Sequence, residues 1–207
     1  MGIINNVNHM ENLKQQFQEK LLSTKREGME NVIKHLERLG FFTAPASTRF
    51  HLNVKGGLMQ HSWNVCNTAL MLREQMILMK PELEEKLPVE SVIIASLLHD
   101  VCKSNIYKDA ILNRKNDQGY WEKVPGYEVD YSSLPLGHGE KSVIMLLTLG
   151  LKLTRDEMLA IRWHMTAWEL AFHSPEQKSN LQVARDTAPL CIIIQAADGL
   201  SSTLLEE

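Results

Sequence analysis

The sequence SVIIASLLHDVCK, residues 91–103, contains the most informative pattern in the chain. Its apolar run predicts a helix over residues 89–102 that begins after Pro88. Because the run is apolar nearly all round, we expect this helix to be central in the fold. The run ends on His99 and Asp100, and such polar groups need partners, since an unpaired buried charge is costly.

The segments on both sides of this run are also predicted to be helical. Apolar residues at helical spacing indicate helices over residues 8–39, broken at Gly28 and ended by Gly40, and over residues 58–79. Further helices are expected over residues 140–149, 155–172 and 186–205. Thr154 and Glu157 form a capping-box pattern at the start of the second of these.

Residues 105–137 differ from the helical segments. They contain several tyrosines, Trp121, two prolines and the turn-like stretch NDQG, residues 116–119. This composition predicts two short strands that form a β-hairpin.

Composition limits the possible functions. The 207 residues carry a net charge of −3, which gives no overall attraction to nucleic acid or to an anionic membrane. Three widely spaced cysteines form no CxxC pair, so neither a disulfide framework nor a thiolate zinc site is indicated. The polar N-terminus and the shortness of the apolar runs favour a soluble, cytoplasmic protein.

Six side chains are candidate metal ligands: His61, His99, Asp100, His138, His164 and Asp198. Imidazole and carboxylate groups without a thiolate suit a divalent transition metal such as Fe, Mn, Zn, Co or Ni. Adjacent residues on a helix point roughly 100° apart, so His99 and Asp100 cannot lie on one face of the helix. They can still converge on an ion at the helix end, where other helices are expected to bring His61 and Asp198. His164, predicted mid-helix, also fits a core histidine bonded to a backbone carbonyl, and His138 also fits a helix cap or a surface histidine.

The order His61…His99-Asp100…Asp198 resembles the signature of the HD-domain superfamily, over roughly residues 50–203. GGLMQHSWNV, residues 56–65, looks like the first-histidine motif of many bacterial members, and LLHDVCK, residues 97–103, looks like their LLHD-x-x-K motif. The resemblance implies an all-α HD-domain bundle with a small β-hairpin insertion. We expect an N-terminal helical extension over residues 1–45 and an HD domain over residues 46–207, with the insertion at about 105–137.

The resemblance also implies a site for one or two metal ions. Members with two metals carry two extra histidines between the HD pair and the final aspartate, where this chain has His138 and His164. The first ion would then be bound by His61, His99, Asp100 and Asp198, and the second by Asp100, His138 and His164. Two cations about 3.5–4 Å apart would generate a bridging hydroxide and hold a phosphoryl oxygen.

Four basic residues are candidate substrate contacts: Lys103, His51, Lys55 and Arg114. Lys103 lies at the lysine position of the LLHD-x-x-K motif and is, with Asp100, a candidate catalytic residue, although the helix dipole alone also favours a lysine at a helix end. His51 and Lys55 lie just before the Gly-Gly turn, where a solvated loop explains them almost as well. Arg114 lies among aromatic residues, a mixture that fits either nucleotide stacking or a hairpin packed on the domain.

The resemblance predicts a metal-dependent phosphohydrolase acting on a phosphomonoester or phosphodiester, with a nucleotide or short oligonucleotide as the substrate. Nucleic acid is expected only as a short substrate, no membrane partner is expected, and the oligomeric state is not indicated. Two alternatives stay open: an HD-type di-iron oxygenase, and a nucleotide-binding regulatory protein with an inactive centre. The presence of all six expected ligands speaks against the inactive centre.

Overall fold

The structure, a computed structural model, describes residues 2–166 and 174–206. In chain order it contains α1 (Gly2–Ser23), α2 (Met29–Leu39), α3 (Gly57–Met79), α4 (Val89–Leu98), β1 (Tyr107–Lys115), β2 (Trp121–Val129), α5 (His138–Thr148), α6 (Arg155–Trp163), α7 (Pro175–Thr187) and α8 (Pro189–Leu200). Short 3-10 helices cover Pro81–Leu83 and Val101–Asn105, and a π turn covers Ser201–Leu205. The predicted all-α fold with a small β-hairpin is confirmed.

Helix α4 is the central element, as its apolar sequence predicts. Every residue from 91 to 98 is buried, and α1, α3, α6 and α8 pack around the helix. The α-helix ends at Leu98, four residues earlier than expected. Asp100 leaves the helical conformation, with φ −103° and ψ 18°, and the chain continues as a 3-10 turn. His99 and Asp100 therefore lie at the junction of two kinds of helix.

The predicted hairpin is confirmed, and its strands pair antiparallel from Tyr107 opposite Val129 to Lys115 opposite Trp121. The side-chain oxygen of Asn116 closes the turn by accepting the backbone N–H groups of Gln118 and Tyr120, at 3.1 and 3.0 Å. Tyr107 and Arg114 donate hydrogen bonds to backbone carbonyls of residues 46 and 48. The hairpin is therefore packed against the loop that precedes α3.

The N-terminal helices share the core of the remaining chain. Phe17, Phe41 and Phe42 form an aromatic cluster with ring centroids 5.4–5.6 Å apart. Between α1 and α2, Arg26 makes a two-pronged ion pair with the fully buried Glu157 of α6, at 2.6 and 2.8 Å. The capping box of Glu157 with Thr154 is also present. The domain boundary at residue 45 stays a prediction.

Two helix predictions are only partly confirmed. The helix expected over residues 186–205 is interrupted at Ala188, because a residue before proline is disfavoured in the α conformation, and Pro189 opens a new helix. Helix α7, which was not predicted, begins with the cap residue Ser174 and Pro175. His164 follows the last residue of α6 and is not mid-helix. The rest of the helix predicted over residues 155–172 falls partly on residues 167–173, outside the described residues.

No single helix within residues 2–166 and 174–206 is long and apolar enough to cross a membrane. The helices Pro175–Thr187 and Pro189–Leu205 meet the length and composition requirement only as a pair, and a bend of 103° separates them.

Candidate metal centre

His61 is presented by the start of α3. Gly56 precedes the helix in the left-handed conformation, with φ 81°. A Cβ on Gly57 would collide with the backbone carbonyl of Leu52, so only glycine lets the preceding loop fold back this closely. This turn buries His61, which is 1% exposed, at the point where α3 meets the end of α4.

His99 and Asp100 are presented by the end of α4. The Nδ1 atom of His99 lies 2.7 Å from the carbonyl oxygen of Ser96, and because a carbonyl can only accept, Nδ1 carries the hydrogen. The free Nε2 atom therefore faces the cluster. The change from α to 3-10 geometry directs both side chains of the adjacent pair to one place, which a continuous α-helix would not allow.

His138 and His164 meet where α5 begins and α6 ends. A Cβ on Gly139 would collide with the backbone carbonyl of Arg162 and lie 2.8 Å from that of Ile161, so the two helices touch backbone to backbone here. The Nδ1 atom of His164 donates to the carbonyl oxygen of Ile161 at 2.7 Å. The two imidazole centroids are 5.3 Å apart.

Asp100 lies at the centre of the cluster, and its two oxygens face different histidines. Oδ1 contacts Nε2 of His138 and lies 3.4 Å from Nε2 of His164. Oδ2 lies 3.4 Å from Nε2 of His99 and 3.7 Å from Nε2 of His61. The second aspartate, Asp198, lies on the Oδ2 side with its Oδ1 atom 3.4 Å from Nε2 of His61.

These residues fit a divalent transition metal. The sets His61, His99, Asp198 and His99, Asp100, His164 each offer three ligand atoms within 4.8 Å of one another. The Nε2 atom of His164 is buried without a hydrogen-bond partner, a costly state that a cation relieves. Neutral imidazoles with carboxylates are also the donors that such metals accept. The role of each residue as a ligand stays a prediction.

The histidines and carboxylates of the cluster stabilise each other's charged forms. Burial alone would lower the pKa of His61, but hydrogen bonds with Asp198 and Glu206 and the charge of Asp100 raise that pKa to about 9. Burial alone would raise the pKa of Asp100, but the charges of Lys103, His99 and His138 hold it well below its usual range. Asp100 is therefore a carboxylate, the form that binds a cation.

A cavity of about 330 Å³ opens beside the cluster. His61, Asp100, His164 and Asp198 lie in its wall together with Lys103, whose Nζ atom is 2.7 Å from Oδ2 of Asp100. Most of its other lining groups are polar: His51, Gln195, Thr166, Ser202 and Thr203. The cavity thus combines the candidate ligands with hydrogen-bonding groups for a polar ligand.

Two of the four predicted substrate contacts lie in this cavity and two do not. Lys103 and His51 line it, and the buried Nε2 atom of His51 has no hydrogen-bond partner. Lys55 is exposed and lines a different pocket, with Tyr107. Arg114 lines a third, of about 510 Å³, along the hairpin. That any of the four binds substrate stays a prediction.

Two contacts of the cluster were not found from the sequence. Glu206 places its carboxylate 2.9 Å from Nδ1 of His61, and Cys102 places its Sγ atom 3.3 Å from Nδ1 of His138. Burial raises the pKa of the Cys102 thiol to about 12, so it is a neutral neighbour of the histidine. A tertiary contact across 145 positions leaves no local pattern from which Glu206 could have been identified.

A protein-family model for the HD domain matches residues 58–203. No curated protein and no solved structure matches the chain. The matched span contains all six candidate ligands, whereas Glu206 and His51 lie outside it.

Proposed function

The chain belongs to the HD-domain family, a superfamily of metal-dependent hydrolases, and on that premise we propose that it hydrolyses a phosphomonoester or phosphodiester. The observation that carries the proposal is the position of Asp100. Its two oxygens face two separate groups of histidines, and it lies in the wall of a cavity that also contains a lysine. We propose a nucleotide or short oligonucleotide as the substrate class.

The ligand assignment follows the two sides of Asp100. His61, His99 and Asp198 lie with the Oδ2 atom and would hold one cation, and His138 and His164 lie with the Oδ1 atom and would hold the second. When bound, such cations supply Lewis acidity that activates water and neutralises phosphoryl charge. Each histidine directs its Nε2 atom into the cluster.

Lys103 gives the cavity a fixed positive charge. Burial alone would lower the pKa of Lys103, but the carboxylate of Asp100 raises it, so the ammonium group stays charged at neutral pH. With one of its hydrogens on Asp100, the group has others to donate to a phosphoryl oxygen. We assign Lys103 the binding and orientation of the phosphate.

The other walls fit the remainder of a nucleotide. A volume of about 330 Å³ lies within the range of sites for small molecules. Thr166, Ser202 and Thr203 also line the cavity, and hydroxyl groups both donate to and accept from sugar and base atoms. Gln195 donates to the carbonyl oxygen of Trp163 at 3.0 Å, which orients its own amide oxygen as an acceptor.

Replacement of Asp100 tests this function directly. Asp100→Ala should lose metal and hydrolysis together, because Asp100 contributes to both groups of ligands. Asp117→Ala, on the exposed hairpin turn, is the matched control. Metal content is measured after loading with Mn²⁺, Fe²⁺, Zn²⁺, Co²⁺ or Ni²⁺, and hydrolysis is measured over mononucleotides, short oligonucleotides and generic phosphate esters. Full activity in metal-loaded Asp100→Ala protein would remove the proposed mechanism.

The ion count and the two alternatives are tested with the same protein. His164→Ala should lower the metal content from two ions to one, and an unchanged count would leave a mononuclear site. A mixed-valence di-iron signal without ester hydrolysis would favour the oxygenase. Tight nucleotide binding without turnover, with metal supplied, would favour the regulatory protein.

A further inference from the structure

Glu206 is a buried carboxylate outside the matched HD domain. Its side chain is only 1% exposed, although the residue lies close to the C-terminal end of the sequence. Its two oxygens lie 2.9 and 3.2 Å from Nδ1 of His61, and Oε1 also accepts a hydrogen bond of 2.9 Å from the side-chain amide of Asn64. A buried carboxylate directed at a candidate metal ligand requires an explanation.

The positions of the histidines in their helices supply one. His99 and His164 follow the last residues of α4 and α6, where backbone carbonyls have no helical partner, and each donates Nδ1–H to the carbonyl three residues earlier. His61 lies near the start of α3, where the neighbouring carbonyls already accept helical hydrogen bonds. Its Nδ1 atom therefore needs an acceptor from another part of the chain, and Glu206 supplies it.

The carboxylate is itself held in place. Asn64 donates to Glu206 and accepts a hydrogen bond of 2.9 Å from Gln60, so a chain of three side chains runs along one side of α3 to His61. The segment that precedes Glu206 is attached to the same helix, because the buried hydroxyl of Ser201 donates to that of Thr68 at 3.3 Å. Glu206 thus approaches α3 from a fixed direction.

We propose that Glu206 is a positioning residue that holds His61 as its Nδ1–H tautomer and directs the Nε2 lone pair at the metal. The proposal rests on the proposed metal-dependent function. A carboxylate acceptor strengthens a histidine ligand, and loss of such a partner typically weakens metal binding about 10- to 100-fold. The partners of Nδ1 in the other three candidate ligand histidines, His99, His138 and His164, are neutral, so His61 gains more from its partner than they do.

The test measures the dissociation constant for Zn²⁺ by competition with a chromophoric chelator. Glu206→Ala should weaken Zn²⁺ binding about 10- to 100-fold, and Glu206→Gln should weaken it less, because an amide oxygen still accepts from Nδ1. Glu85→Gln, on an exposed turn, is the matched control. In a His61→Ala background the Glu206→Ala change should have no further effect, because no ring is left to position.

A second readout separates positioning from a structural role. In Zn²⁺-loaded protein, ¹⁵N NMR of the His61 ring should show Nδ1–H in the wild type and an altered Nδ1 resonance in Glu206→Ala. Glu206 variants with the wild-type dissociation constant and the wild-type His61 resonance overturn the proposal, whatever their stability. If the wild type binds Zn²⁺ but hydrolyses no phosphate ester with Zn²⁺ or with Mn²⁺, Fe²⁺, Co²⁺ or Ni²⁺, the proposed function fails and the role of Glu206 is still decided by these two measurements.

Discussion

Gly139→Ala tests whether the backbone contact between α5 and α6 sets the geometry of the cluster. A Cβ at residue 139 would lie 2.8 Å from the carbonyl oxygen of Ile161 and closer still to that of Arg162. Both are backbone atoms that cannot rotate away, so the helices must separate by roughly 1 Å to restore ordinary contact. His138 is adjacent to this contact and His164 follows it, so the gap between the two imidazoles widens as well.

The cost follows from the size of that movement. Overpacking of this kind removes about 1–3 kcal/mol of unfolding free energy, and a misplacement of about 1 Å in a catalytic site lowers activity about a hundredfold. Urea denaturation measures the loss of unfolding free energy, and hydrolysis assays measure the loss of activity. In a Mn²⁺ titration of the variant, one ion should bind more weakly than in the wild type.

A second glycine provides the control for the unfolding measurement. Gly199→Ala places its Cβ in open space in α8 and should gain about 0.5–1 kcal/mol from helix propensity. Wild-type stability together with wild-type binding of both ions in Gly139→Ala would show that the helix contact does not set the site.

Three further predictions concern stability. Arg26→Ala should cost about 3–5 kcal/mol in urea denaturation, because it leaves the carboxylate of Glu157 buried without its cation, and a cost below about 1 kcal/mol would mark the pair as unimportant. The metal-free protein should lose stability as pH rises from about 6.5 to 9, because the raised pKa of His61 stabilises the fold only while the ring is charged. The measurement is the unfolding free energy in urea as a function of pH. A free energy that does not change over this range, or that falls equally in His61→Gln, contradicts the prediction. Removal of metal by a chelator should lower the unfolding temperature. For protein that starts with free metal at 100 times the dissociation constant, the loss corresponds to about 2.7 kcal/mol of unfolding free energy. Identical melting curves with and without the chelator would mean that no ion binds the folded state.

The central helix and its polar end could be predicted because the signal is local. A run that is apolar on all sides indicates burial, and the His99-Asp100 pair at its end indicates that the neighbouring elements supply partners. The early change to a 3-10 turn was not predictable, because it depends on the tertiary surroundings of Asp100. The break before Pro189 did carry a local signal, since the residue before a proline is disfavoured in an α-helix, and the prediction over residues 186–205 overlooked it.

Only some residues of the candidate site could be predicted from local sequence patterns. The order His61…His99-Asp100…Asp198 identified four side chains that the structure brings within 3.2–3.7 Å contacts of one another. Lys55 was predicted as a substrate contact because it lies near the Gly-Gly turn, but nearness in sequence does not say which way a loop residue faces, and Lys55 lines another pocket. Glu206 contacts His61 only through the fold, so no periodicity or spacing could identify it.

The π turn at Ser201–Leu205 makes the register of the C-terminal segment sensitive to length. A π turn contains one residue more than the corresponding α turn and so already absorbs one extra residue; a further residue inserted there would rotate the residues after it by about 100°. The carboxylate that meets α3 would then face elsewhere. Exchanges at the exposed Leu204 and Leu205 would leave its direction unchanged. In this segment we expect natural variants to differ in the identity of residues but not to contain more residues than this chain.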